Sequence, residues 1–161
     1  MLARVIAVLI AVAQTDSGYR AHKPERMPRA RRALDERPSS SIDLKIVGLR
    51  SREGQILVLL WDDPQGFPDR QQAARSHRVI PLNGKDPRIQ FEDLPMGTYA
   101  ITLVHDENKN GRLDTNFLGI PTEGYGCSNN RTPRLSRPRY TRAKFRIGPG
   151  RATKTVRITY L

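Results

Sequence analysis

The segment Asp106-Glu107-Asn108-Lys109-Asn110-Gly111-Arg112-Leu113-Asp114 carries oxygen-bearing side chains at alternate positions, with a glycine sixth. This is the first half of a calcium loop, D-x-[DN]-x-[DN]-G. Ca²⁺ takes about six to eight hard oxygen ligands. Asp106, Asn108 and Asn110 can converge on one point as the chain winds, Gly111 permits the sharp turn, Arg112 stands where such loops offer a backbone carbonyl, and Asp114 holds the ninth place. The twelfth place, where a bidentate Glu is expected, is Phe117, and no helical pattern flanks the loop. The spacing therefore predicts a loop between strands. It would bind calcium weakly, at about 10⁻⁴ M or poorer, with the ion pinning the loop. The competing reading is a metal-free turn that caps its own backbone through Asx bonds.

Other chemistry is sparse. His105 could act as a general base with Asp106 or Glu123, which defines a small hydrolase as one alternative; a lone His at a strand end is more commonly structural, because base catalysis needs a partner and a pocket. Cys127 is the one cysteine, with no nucleophile motif around it, and it excludes both an intrachain disulfide and a cysteine-rich zinc site. No G-x-S-x-G, Walker loop or dinucleotide fingerprint occurs. We assign no catalytic residue. Thr115 to Asn130 is rich in Gly and Asn, and a surface loop of this length carries function or wraps a core edge. With its neighbour it forms a candidate ligand- or partner-binding face through His105, Asn116, Glu123, Tyr125, Asn129 and Asn130.

The elements that must position these residues are short strands. Ile42, Leu44 and Ile46 alternate with polar residues, and Gln55 to Trp61 is a continuous apolar run suited to the middle of a sheet. Asp69 to Ser76 reads as one or two helical turns with Asp69 as N-cap. Strands follow at His77–Leu82, around Ile89 and Phe91, and at Tyr99–Val104. Asp106 to Tyr140 reads as irregular. Ala143, Phe145 and Ile147 alternate as a strand, and Val156, Ile158 and Tyr160 form the last one. About seven strands at hairpin-like spacing, with no helix long enough for a βαβ unit, predict a single all-β antiparallel sandwich with a long polar loop.

The chain of 161 residues divides by texture. Val5 to Ala13 is apolar after Arg4 and ends in a small-x-small triplet, the pattern of a signal peptide over residues 1–13, with cleavage after Ala13. The run is too short to span a bilayer, so no transmembrane segment is expected. Residues 14–40 read as a disordered basic linker, and residues 41–161 as the sandwich. The net charge is +12. From Arg131 to Arg157 ten basic residues follow one another with no acid between them. That defines a second alternative, an anionic-polymer binder. Aromatic interleaving is thin there, which argues against nucleic acid as the partner; a solvated basic face is the plainer reading.

Three blocks carry a family resemblance: Gly66-Phe67-Pro68, Asp93-Leu94-Pro95-Met96-Gly97-Thr98-Tyr99-Ala100, and the long stretch from His105 through Thr115-Asn116-Phe117-Leu118-Gly119-Ile120-Pro121 and Glu123-Gly124-Tyr125-Gly126 to Ser128-Asn129-Asn130. The domain resembles the bacterial secreted family named domain of unknown function 2141. The resemblance implies a β-sandwich of the transthyretin (prealbumin) or carboxypeptidase-regulatory type, and export to the periplasm or the outside; it implies no reaction. Together these features predict a monomeric, non-enzymatic, exported module that binds an envelope protein or glycan through the face from His105 to Asn130.

Overall fold

The computed structural model describes residues 39–84, 86–130 and 136–161. The signal-peptide segment, nearly all of the linker, and Arg131 and Arg134 of the basic run lie outside the described residues. Among the described residues there are eight strands: β1 (Ser40–Val47), β2 (Gln55–Trp61), β3 (Ser76–Pro81), β4 (Arg88–Leu94), β5 (Gly97–Asp106), β6 (Gly124–Cys127), β7 (Phe145–Ile147) and β8 (Gly150–Arg157). They form a three-stranded sheet in the order β4-β1-β8 and a second sheet in the order β3-β2-β5-β6, with β7 paired to the start of β5. The result is the expected all-β sandwich, with one parallel pair, β1 with β8, among antiparallel neighbours.

The period-2 pattern of β1 places Ile42, Leu44 and Ile46 in the core, where they meet Ile56, Val58 and Leu60 of β2 and Ile101 and Leu103 of β5. Burying each of these side chains is worth about 1.5–3 kcal/mol. β2 is apolar on both faces because both faces are covered. Its other side, Leu59 and Trp61, packs with Ala100, Cys127 and Ala143 in a second cluster that Phe67, Ala74 and Tyr140 join from outside the sheets. Phe67 stands edge-on to both Trp61 and Tyr140, with ring centroids 5.4 and 5.6 Å away. Loops rather than a third sheet thus cover the outer face of the larger sheet.

Three local expectations are corrected. The segment after Asp69 forms only a 3₁₀ turn, Gln71–Ala73, with Arg70 at its N-cap position and no side-chain cap; Asp69 instead pairs with Arg137 at 2.6 Å. Ala143 ends a four-residue helix, α1 (Tyr140–Ala143), rather than opening a strand. The stretch read as irregular contains β6. Two of the four β6 residues are glycines, so no apolar alternation marked it; tertiary packing requires those glycines. A Cβ on Gly124 would lie 2.4 Å from the Tyr160 ring, and one on Gly126 would lie 2.5 Å from the Arg157 carbonyl oxygen. The smaller sheet closes on the larger one through this gap, with Tyr125 and Thr159 exchanging backbone hydrogen bonds of 3.0 and 2.9 Å.

Candidate functional site: a roofed face on the larger sheet

Alternation along β5 sends His105 inward and Asp106 outward, and the two do different work. His105 has no exposure. Its Nε2 lies 2.9 Å from the Glu53 carbonyl oxygen, which can only accept, so Nε2 carries the proton; Nδ1 then accepts from the Tyr160 hydroxyl at 2.6 Å. Tyr160 in turn accepts from the Arg50 backbone N–H, and the Arg50 guanidinium lies 4.5 Å over its ring. Arg50 also grips Glu107 through Nε and Nη2, and Ser51 donates to the same carboxylate. The Arg50 bonds, with a contribution from Ser51, hold the Glu107 carboxyl below the usual carboxylate range, while burial pushes the Tyr160 phenol up. With both ring nitrogens committed, His105 fastens the C-terminal end of the chain to the larger sheet. It is not placed to take a proton from a substrate.

Asp106 is also fully buried. It accepts from Gln55 Nε2 at 2.8 Å and from the backbone N–H groups of Asn110 and Gly111 at 3.0 and 2.8 Å. Asn108 Oδ1 accepts from Asn110 N–H, and Asn110 Oδ1 from Arg112 N–H. The amide groups of Asn108 and Asn110 both donate to Asp114 Oδ2, and these two bonds are the main cause of the lowered Asp114 pKa; Arg112 contributes less from 3.3 Å. Asp106, Asn108, Asn110, Arg112 and Asp114 lie in one turn, where the side-chain oxygens of Asp106, Asn108, Asn110 and Asp114 face N–H donors, all of them within the turn except that of Gln55. Among the described residues no group of three or more His, Cys, Asp or Glu side chains is spaced to hold a metal. In this arrangement the donor set does not fit Ca²⁺: both asparagine amides would have to turn away from Asp114, giving up the bonds their Oδ1 atoms make.

Glu123, 5% exposed, ties this turn to the rest of the loop. Oε1 accepts from Glu107 N–H and Oε2 from Asp114 N–H, both at 3.0 Å. Beyond it Asn116 Oδ1 accepts from the N–H groups of Leu118 and Ile120, and Thr115 bridges to Pro121. The segment from Glu107 to Pro121 is thus a flap held by its own hydrogen bonds and by Glu123. It roofs a cavity of about 540 Å³ on the outer face of the larger sheet. The floor is Leu57, Leu59, Thr102, Val104 and Tyr125, and the roof supplies Leu113, Leu118, Ile120 and Pro121. At the rim stand Asp69, Gln71, Arg112 and Arg137. The flap tip is apolar and open to solvent, with Phe117 94% and Leu118 68% exposed.

Of the six residues expected on a binding face, only Tyr125 lines this cavity. His105 and Glu123 lie behind it, and Asn116 holds the flap. Asn129 donates to the carbonyls of Arg142, Ala143 and Lys144 at the end of α1, and Asn130 accepts from Arg157 N–H at 2.8 Å. Ser128 does similar work: it accepts from Ile101 N–H, where the β5–β6 pairing stops, and donates to the Ala143 carbonyl at 2.6 Å. The floor residues escaped notice because they looked like ordinary core. On the opposite count, Arg142, Lys144 and Arg146 of the basic run are exposed, while Phe145, the aromatic among them, is buried under Lys154.

A comparison with protein-family models places most of the chain in a family. Residues 44–155 fit the family described as "Uncharacterized protein conserved in bacteria", domain of unknown function 2141. The chain belongs to this family. The matched region runs from β1 into β8 and contains the whole flap and the cavity floor. Neither the curated proteins nor the solved structures yielded a match.

Proposed function

We propose that this chain is a non-enzymatic binding module, exported to the bacterial envelope, that takes its ligand at the roofed outer face of the larger sheet. The carrying observation is the apolar cavity under a flap whose frame is locked by two buried carboxylates, Asp106 and Glu123. A volume of about 540 Å³ falls within the roughly 300–1,000 Å³ typical of small-molecule sites, which are mostly apolar with a few polar groups. Support for a non-catalytic role comes from His105, whose ring nitrogens are both committed inside the fold. Support for export comes from the apolar run ending at Ala13.

The test uses a neutral hydrophobic dye, N-phenyl-1-naphthylamine, whose emission rises in apolar surroundings. One dye should bind per chain, and Val104→Phe and Leu113→Phe, which fill the cavity from floor and roof, should abolish the signal at unchanged melting temperature. Unsaturable dye binding, or binding equal in both folded variants, refutes the site. Export is checked separately by sequencing the N-terminus of protein recovered from the periplasmic fraction, where Gln14 is the expected first residue.

A further inference from the structure

The chemical class of the ligand can be read from the cavity and its rim. Floor and roof are built mostly from aliphatic side chains, with Tyr125 and Thr102, and Leu118 of the roof is exposed beside Phe117. An unbranched hydrocarbon chain fits such a slot, since it gains from apolar burial and needs no polar partner there. The rim is different. Arg112 and Arg137 stand on it with 76% and 81% of their side chains exposed, each paired with one carboxylate, Asp114 at 3.3 Å and Asp69 at 2.6 Å. A guanidinium has five N–H donors in a planar fork, and one ion pair uses at most two of them, so each arginine keeps donors for a second acceptor. The net charge of +12 adds a long-range attraction for anions.

We infer that the cavity binds a single-chain amphiphile with an anionic head, its hydrocarbon tail under the flap and its carboxylate, or a like anion, at Arg112 and Arg137. This rests on the binding-module reading above and specifies its ligand. The protein carries its own reporter. Trp61 is its one tryptophan, and the indole N–H donates to Oγ1 of Thr102, a floor residue, at 2.9 Å.

The experiment titrates the full chain with hexanoate, octanoate and decanoate below their micellar concentrations, following Trp61 emission and displacement of N-phenyl-1-naphthylamine. Affinity should rise by up to about fifteenfold for each added pair of methylenes while the tail is being buried. Decyltrimethylammonium should bind about tenfold or more weakly than decanoate, because the spare guanidinium N–H groups can donate to a carboxylate and not to a quaternary ammonium. Arg112→Gln with Arg137→Gln should remove most of that preference. A series flat in chain length, or equal affinity for the cationic and anionic amphiphiles, overturns the inference; if the dye still binds the wild type and not the filled variants, the binding site itself stands. Failure of the dye in the wild type sinks both.

Discussion

Glu123 is the keystone of the flap, and removing its carboxylate should release both ends of the turn. The two bonds it accepts, from Glu107 N–H and Asp114 N–H at 3.0 Å, are charge-assisted, and the side chain is 5% exposed. Glu123→Ala leaves two backbone donors without partners. Each buried unsatisfied donor costs about 1–3 kcal/mol. Water can enter the space the side chain vacates, which favours the lower half of that range, so the total is about 2–4 kcal/mol. If the whole domain shares this loss, melting falls by roughly 6–20 °C, at about 3–5 °C per kcal/mol for a domain of this size. If the flap opens alone, the loss is local and appears in amide exchange before it appears in melting. The assay is therefore hydrogen exchange read at Glu107 and Asp114, alongside melting. Protection at both amides should drop by about 30-fold or more, since a factor of ten corresponds to about 1.4 kcal/mol. Glu123→Gln should fall between, because one acceptor oxygen survives and the new NH₂ group faces an N–H donor. Protection at both amides within about threefold of wild type in Glu123→Ala, with melting unchanged, would refute the clamp.

Three further outcomes follow from the geometry. The Glu107 carboxyl titrates below the value of 4.5 it has unperturbed, so its contribution is present above about pH 4.5 and is lost as pH falls through its folded pKa; thermal melts from pH 6 to pH 2 should show a steeper acid loss in wild type than in Glu107→Gln, by up to about 1 kcal/mol for so exposed a pair, and parallel curves would count against the pairing. Gly124→Ala would set a methyl 2.4 Å from the Tyr160 ring and should cost about 1–3 kcal/mol while breaking the His105–Tyr160 bond, seen as a changed His105 ring signal by NMR; a variant as stable as wild type would show that the sheets close less tightly than described. Calcium up to about 1 mM should leave melting unchanged, because the loop oxygens already face N–H donors; a saturable rise that Asp114→Ala abolishes would show that the two asparagine amides do turn to make a cage.

Much of the architecture was legible along the chain. Alternation in Ile42–Ile46 and Tyr99–Leu103, the unbroken run from Gln55 to Trp61, and turn chemistry between them specify strands, because side-chain period is a local consequence of which face is buried. The paired-Asx segment after His105 was equally legible as a tight, oxygen-rich turn. What these patterns cannot carry is the destination of each face. β6 was invisible because Gly124 and Gly126 are there for what lies across from them, the Tyr160 ring and the Arg157 carbonyl. His105 and Glu123 looked like surface chemistry and are buried supports, because a polar side chain's role depends on the partners the fold brings to it.

Leu57, Leu59 and Val104 looked like core, yet they form the floor of the cavity. Short strands and a tight, oxygen-rich turn are written into the chain, since propensity and period act over a few residues; whether that turn holds an ion or bonds to itself is not. That segments distant in the chain cover the outer face of the larger sheet and leave a space beneath the flap is settled in three dimensions. A cavity exists only where segments distant in the chain pack incompletely, and no local pattern encodes what fails to meet.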